Sequence, residues 1–467
     1  MDTVYAAPGT GVRARAMTRP GRSDMIRSRR TTRRSTTTRR ILAVIGASVL
    51  VTGLAGCGAD SDTAGGDGEK ASKLEGRGNI TFVAGKDTSG YWKGLLEQWN
   101  SQHPKEQVEL VELPEAADQQ RQRMIDNAQT KSDAYTVLYV DVVWTAEFAA
   151  NGWIEELPEK EFPLDKMFPS VVDTARYFGK LYAVPQSTNG GLLFYRKDLL
   201  DKVDAKPPAT WQEMKDACKK IQALPEGKKA DCYAGQFEKY EGLTVNFSEA
   251  VQSAGGKVVD DQGKPTLNTP EAKAGLQLLV DSFKDGTIPR EAITYKEEEG
   301  RRAFQAGKLV FHRQWPYQYA LANMKDGSSK VAGKFDVAPL PGVSGPGSST
   351  LGGANMAISK FAKNKATALD FIEFATTEES QRKALEVAST AGVHTALYED
   401  TELAKKWPYL PMLKESILKA VPRPVVVKYG DATLAIQENA YAALTGDKTV
   451  DEALTKMQAD LETVTKQ

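Results

Sequence analysis

Between Asn79 and Asp141 the chain alternates strand and helix signatures, and this rhythm narrows the folds open to it more than any other feature. Ile80-Thr81-Phe82-Val83 reads as a strand, and Gly90 to Asn100 then carries Tyr91, Leu95, Leu96 and Trp99 at helical spacing. Val108 to Leu113 sets Val108, Leu110, Val111 and Leu113 against Glu109 and Glu112, Asp118–Gln129 is helical again, and Tyr135 to Val140 runs as a strand into Asp141. A β-α-β-α-β order of this kind predicts an α/β fold with a parallel sheet. Further along, Thr210-x-x-Glu213 is a capping box opening a helix over Trp211–Leu224. Thr269-Pro270-Glu271 opens another, with Leu276, Leu279 and Phe283 on one face. Asn364–Thr376 has an apolar stripe of Ala368, Leu369, Phe371, Ile372 and Ala375. There is no internal repeat. The roughly 390 residues from Asn79 onward exceed one ordinary core and predict two lobes.

The segment before this domain is a leader. Residues 27–40 are crowded with Arg, residues 41–56 are apolar and small, and Leu54-Ala55-Gly56-Cys57 closes the run. A positive region, a short apolar region and a small-residue cleavage site make residues 1–56 a signal peptide. The last four residues match the bacterial lipobox, which implies that Cys57 is lipidated and becomes the mature N-terminus. The alternative is an uncleaved membrane anchor, but the apolar stretch falls short of the ~20 residues that a span needs. Arg39-Arg40 leaves twin-arginine export open, and Met25 is a second candidate start. Residues 57–77 then read as the lipidated Cys and a flexible Gly/Asp/Ser/Ala-rich tether. The expected location is outside the cytoplasm, on the outer face of the membrane and held there only by the lipid.

The whole chain balances 61 basic against 61 acidic residues, but residues 1–56 hold 11 Arg and only two acids, leaving a net charge of −9 on the remainder. A mildly acidic exported domain lacks the basic stripe of a nucleic-acid binder. With Cys57 assigned to the lipobox, Cys218 and Cys232 are the only remaining pair. In an oxidising compartment they read as a disulfide, with two buried free thiols as the alternative. Only three His occur, none beside a Cys in sequence, and neither a metal nor a cofactor is expected. Metalloprotease, Walker A, Rossmann and nucleophile-elbow motifs are missing. Gly342-Val343-Ser344-Gly345-Pro346-Gly347 approximates an elbow but has Pro346 in its last glycine position, and reads as a surface turn.

Three stretches carry a family resemblance: Asp141-Val142-Val143-Trp144-Thr145-Ala146-Glu147-Phe148-Ala149 with Gly152-Trp153-Ile154, Gly179-Lys180-Leu181-Tyr182-Ala183-Val184-Pro185 through Asp198-Leu199-Leu200, and Phe304-Gln305-Ala306-Gly307 through Trp315-Pro316-Tyr317. In this order they resemble the family 1 solute-binding proteins of ABC sugar importers. The first stretch and the Arg423-Pro424 pair resemble the trehalose/maltose-binding branch. The resemblance implies a two-lobed periplasmic-binding-protein fold of class II type, with the ligand in the interlobe cleft and no catalysis. It implies three hinge crossings, near Ala183–Asn189, Gln314–Pro316 and Ser359–Phe361. Lobe one would be residues 78–186 plus 316–360, and lobe two residues 187–315 plus 361–467. The implied partners are a disaccharide and the importer's permease, with the protein itself a monomer.

A sugar presents hydroxyls to charged or amide groups and C–H faces to flat apolar ones. Asp141, just past a strand, either accepts from two hydroxyls or caps the next helix. Asn189 either donates and accepts at once or makes a turn. Trp315 either stacks under a pyranose or fills the core, and Tyr317 is a second platform. Arg423, stiffened by Pro422 and Pro424, offers a fork of donors or lies on the surface. Asp87, in the loop after the first strand, and Gln119 or Gln120, at the next helix start, are placed to approach the cleft, and one of Glu297 and Glu298 resembles the family's acidic contact, with a solvated surface role as the alternative for each. Gly353 would let backbone near the sugar, and Ala354 follows where relatives often carry a larger side chain, so ligand preference could differ. A glycosidase, a binder of a non-sugar or longer-oligosaccharide ligand, and a sensor are the competing readings.

Overall fold

A strand covered on both faces must be apolar along its length, and Ile80, Phe82, Val83 and Ala84 of the first strand are all buried. The computed structural model describes residues 74–465 apart from Asp261. The leader, Cys57 and most of the expected tether lie outside the described residues. In chain order the strands are β1 (Ile80–Gly85), β2 (Val108–Leu113), β3 (Val137–Asp141), β4 (Arg176–Tyr177), β5 (Lys180–Leu181), β6 (Val184–Gly190), β7 (Leu192–Tyr195), β8 (Asp231–Ala234), β9 (Leu309–Gln314), β10 (Asp336–Ala338) and β11 (Leu351–Ile358). Two main sheets result, ordered β2-β1-β3-β11-β6 and β10-β7-β9-β8. β1 pairs in parallel with β2 and β3, as the strand–helix rhythm requires, with Ile80 opposite Val108 and Phe82 opposite Val137. β11 enters antiparallel between β3 and β6.

The helices form where their caps predict. The Thr210 hydroxyl accepts from the Glu213 N–H at 3.1 Å, and the Glu213 carboxylate accepts from the Thr210 N–H at 3.2 Å, opening the helix Trp211–Gln222. Thr269 caps Pro270–Lys284 through the Ala272 N–H at 3.2 Å. Cys218 on the first of these helices is bonded to Cys232 on β8, with Cα atoms 5.5 Å apart. Closing a loop of about 15 residues is worth ~3 kcal/mol in the chain-entropy model. Reduction is therefore expected to lower the calorimetric Tm by several degrees, and an unchanged Tm would show that the bond constrains nothing.

The crossings between lobes differ from the expected ranges. The first lies at Gly190–Gly191, between β6 of one sheet and β7 of the other. The second is residues 339–350, because β10 pairs with β7 in the second sheet. It does not fall at Gln314–Pro316. The helix Lys365–Thr376 stays with the first sheet, its Phe371 ring 5.8 Å from that of Phe82, so no crossing occurs at Ser359–Phe361. The third crossing is residues 421–428, ahead of the helix Tyr429–Thr445. On that helix the Thr433 hydroxyl lies 2.7 Å from that of Thr244 in the second lobe. Residues 361–420 thus join lobe one, and residues 336–338 join lobe two. An apolar stripe shows that a helix buries one face, but not against which sheet.

Candidate functional site

Open α/β sheets bind ligands beyond the carboxyl ends of their strands. Here the loop after β1 brings Lys86, Asp87 and Thr88 to that edge, and the segment after β2 brings Glu115 and Gln120. Lobe two faces them with Lys296, Glu297 and Glu298, at the start of the helix Glu297–Gln305, and with Tyr317. Two abutting cavities of about 260 Å³ each share Lys86, Thr88 and Tyr317. The first has an apolar side of Trp92, Leu321, Met324 and Val387, while the second is lined by Glu115, Gln120, Lys296, Glu297 and Glu298. A further hollow of about 450 Å³ continues past Glu115 and Lys296 to Gln119 and Glu238.

Tyr317 is the wall common to both cavities, and its hydroxyl donates to Glu298 at 2.9 Å. Burial pushes the Tyr317 phenol well above its usual range, and the Glu298 and Glu297 charges push the same way. Burial would also raise Glu298, but hydrogen bonds and charge from Arg301 outweigh it and hold the carboxyl low. Glu297 accepts from the Tyr240 hydroxyl at 2.7 Å, and burial leaves its carboxyl raised. The two neighbouring carboxyls are therefore shifted in opposite directions.

The other expected site residues divide. Asp87 lines the first cavity, but its carboxylate accepts from the N–H groups of Gly90 at 2.8 Å and Lys93 at 3.2 Å, capping the helix Tyr91–Gln102. Gln120 lines the second cavity and Gln119 the outer hollow. Asn189 is half-buried on β6 opposite Gly352. Gly353 has φ +123°, and a Cβ there would run into the Ser187 carbonyl. Trp315 is not among the residues lining the cavities. Its ring lies over the Arg313 guanidinium, 3.9 Å from it at the centroid, and against Gly352 of lobe one. Asp141 sits at the end of β3 and accepts from the Val143 N–H at 3.2 Å and from Arg423 at 2.6 Å.

Arg423 does not open into either cavity. Its side chain is 1% exposed and pairs with Asp141 at 2.6 Å and Glu241 at 2.5 Å. The Tyr429 and Thr433 hydroxyls also donate to Glu241. Sequence reasoning missed Trp92, Lys86, Glu115 and Lys296 at the cleft. Trp92 falls on the helical stripe, three, four and seven residues before Leu95, Leu96 and Trp99, so its spacing marks it as a buried residue and gives no signal for the cleft.

Burial raises Glu241 to about 7, with Asp141 and Asp118 adding to the rise and Arg423 and Tyr429 opposing it. Its ordinary value is 4.5, so between about 4.5 and 7 the folded protein holds a proton that the unfolded chain does not. Stability then falls as pH rises through that window, by ~3 kcal/mol, and is flat above it. Tm is expected to drop between pH 5 and 7.5 in the wild type, and the component absent from Glu241→Gln measures this group. Equal slopes in the two proteins would rule it out.

The model of the family described as bacterial extracellular solute-binding protein matches residues 85–382. The chain belongs to that family. Among curated relatives of this solute-binding protein, a probable ABC transporter-binding protein of Deinococcus radiodurans is 34% identical over 364 residues, covering 76% of this chain and 86% of the relative. The mannitol-binding protein of Pseudomonas aeruginosa is 24% identical over 387 residues, covering 78% of this chain and 87% of the relative. Maltose-bound T. maritima MalE3 superposes with a TM-score of 0.78 at 33% identity, covering 82% of this chain and 99% of that one. The GacH receptor of Streptomyces glaucescens GLA.O shares the fold, with a TM-score of 0.74, at 24% identity over 84% of this chain and 99% of its own. The family places this protein outside the cytoplasm as a solute-binding protein. Among the described residues no helix is long and apolar enough to cross a membrane.

Proposed function

We propose that this solute-binding protein captures a disaccharide, an α-glucoside such as trehalose or maltose, and delivers it to the permease of an ABC importer without chemical change. The observation that carries the reading is Tyr317, standing between a chamber with one apolar and one polar side and a carboxylate-lined chamber in the interlobe seam. Such a wall suits a ligand of two rings, each with C–H faces and hydroxyls. The likeness to maltose-bound T. maritima MalE3 supports the same ligand class. Asp87, Gln120, Glu297, Glu298 and Tyr317 are the contacts proposed on the cavity walls, with Asp141, Asn189, Trp315 and Gly353 behind them. We further propose that Cys57 carries the lipid that holds a monomeric protein on the outer face of the membrane.

Isothermal titration of the mature chain against trehalose, maltose, sucrose, mannitol and ribitol tests this. Micromolar or tighter binding of one disaccharide is expected. Saturable binding of a polyol alone would replace the disaccharide reading, and silence toward all five would end it.

A further inference from the structure

Arg423 stands on the third crossing, between Pro422 and Pro424. That segment is zipped to the second crossing through Val421. Its N–H donates to the Ser349 carbonyl at 2.8 Å, and its carbonyl accepts from the Leu351 N–H at 2.9 Å. The guanidinium is thus mounted on the hinge and not on either lobe. Asp141 reaches it from lobe one at 2.6 Å, and Glu241 reaches it from lobe two at 2.5 Å. A second strap lies beside the first, where the Glu241 N–H donates to Asp118 of lobe one at 3.0 Å. Gly430 of lobe two is packed so closely on the Arg121 guanidinium of lobe one that a side chain there would collide with it.

Asp141 faces this post from the carboxyl end of β3, the sheet edge that carries the cleft loops, and lines neither cavity itself. The register that sets Phe82 opposite Val137 and Val83 opposite Leu138 brings Asp141 level with Lys86, which lines both cavities. Its Oδ1 takes both the Arg423 and the Val143 bonds, and Oδ2 takes neither. The Asp141 side chain as a whole is 22% exposed.

We propose that Arg423 is a positioning residue, a hinge-mounted post that draws the two lobes together and aims the Asp141 carboxylate at the ligand. Arg423 then reaches the ligand only through Asp141, and closure is held by the protein's own charges. The ligand-directed half of this inference rests on the sugar-binding reading above, while the closure half does not.

Small-angle scattering of the ligand-free mature chain tests closure. The wild type is expected to be compact, with Arg423→Gln and Asp141→Asn both more expanded and Arg423→Lys intermediate. In maltose titrations Arg423→Gln is expected to weaken binding about 10- to 100-fold, carried by the dissociation rate. Adding Arg423→Gln to Asp141→Asn should change the affinity by less than about twofold, because one route is lost only once. Losses that add in the double variant would mean that Arg423 touches the sugar itself and would overturn the proposal. Superimposable ligand-free profiles would also overturn it. Should Arg423→Gln fail to fold, Asp141→Asn leaves the Arg423–Glu241 pair intact and carries the scattering test. If the wild type binds no maltose, the ligand-directed half falls, and scattering still decides whether the post closes the lobes.

Discussion

Replacing Tyr317 by Ala is expected to weaken sugar binding about 100-fold, equivalent to ~3 kcal/mol, the scale of a central aromatic anchor. The ring walls both chambers, so its loss merges them and exposes the sugar's C–H faces to water. Tyr317→Phe keeps the ring and loses only the 2.9 Å bond to Glu298, a cost of about tenfold or less. Arg301 still holds Glu298 through its Nε at 2.9 Å, so neither variant strands a charge. Circular dichroism should show both folded, with Tm close to the wild type. An Ala variant that binds within threefold of the wild type would remove Tyr317 from the site.

The largest stability effect is expected at the hinge. Glu249 and Arg313 are buried, 5% and 1% exposed, and joined by two bonds of 2.8 and 2.5 Å. Glu249 also accepts from the Thr350 N–H at 3.1 Å on the second crossing. A side chain at Gly191, on the first crossing, would press on both members of the pair. Glu249→Ala leaves Arg313 charged, buried and unpaired, which costs ~3–5 kcal/mol. The double variant Glu249→Met with Arg313→Met is expected to recover most of that loss, because apolar groups of similar volume need no partner. Calorimetric Tm values for the single and double variants decide this. A single variant as stable as the wild type would contradict it. The double variant also strips Trp315 of the cation beneath its ring, so recovered stability without recovered affinity would mark Trp315 as a ligand platform that needs Arg313.

Much of the secondary structure of both lobes was legible in the chain. β1, β2 and β3 announce themselves by apolar runs between helical stripes, and Thr210 and Thr269 announce the starts of their helices by caps that act within four residues. The Cys218–Cys232 pair was legible from export and count alone. Tyr317, and one of Glu297 and Glu298, were singled out because they lie in or just before a recognisable stretch, and Tyr317 and both glutamates line the second cavity. Arg423 was found for the same reason, but its task was not. A guanidinium on a Pro-rich loop fits a sugar's hydroxyls as well as it fits carboxylates, and only the fold brings Asp141, 282 positions away in sequence, within 2.6 Å.

By itself, then, the sequence determined what depends on neighbours along the chain: strand and helix periods, caps and the pairing of Cys218 with Cys232. The tertiary structure alone decided which sheet receives residues 336–338 and 365–376, where the three crossings fall, and which charges meet at the hinge. The physical reason is range. Periodicity and capping report free energies settled within a turn or a strand, whereas burial and ion pairing depend on which distant surface arrives. A buried stripe or a fork of donors serves several partners equally well until packing chooses one.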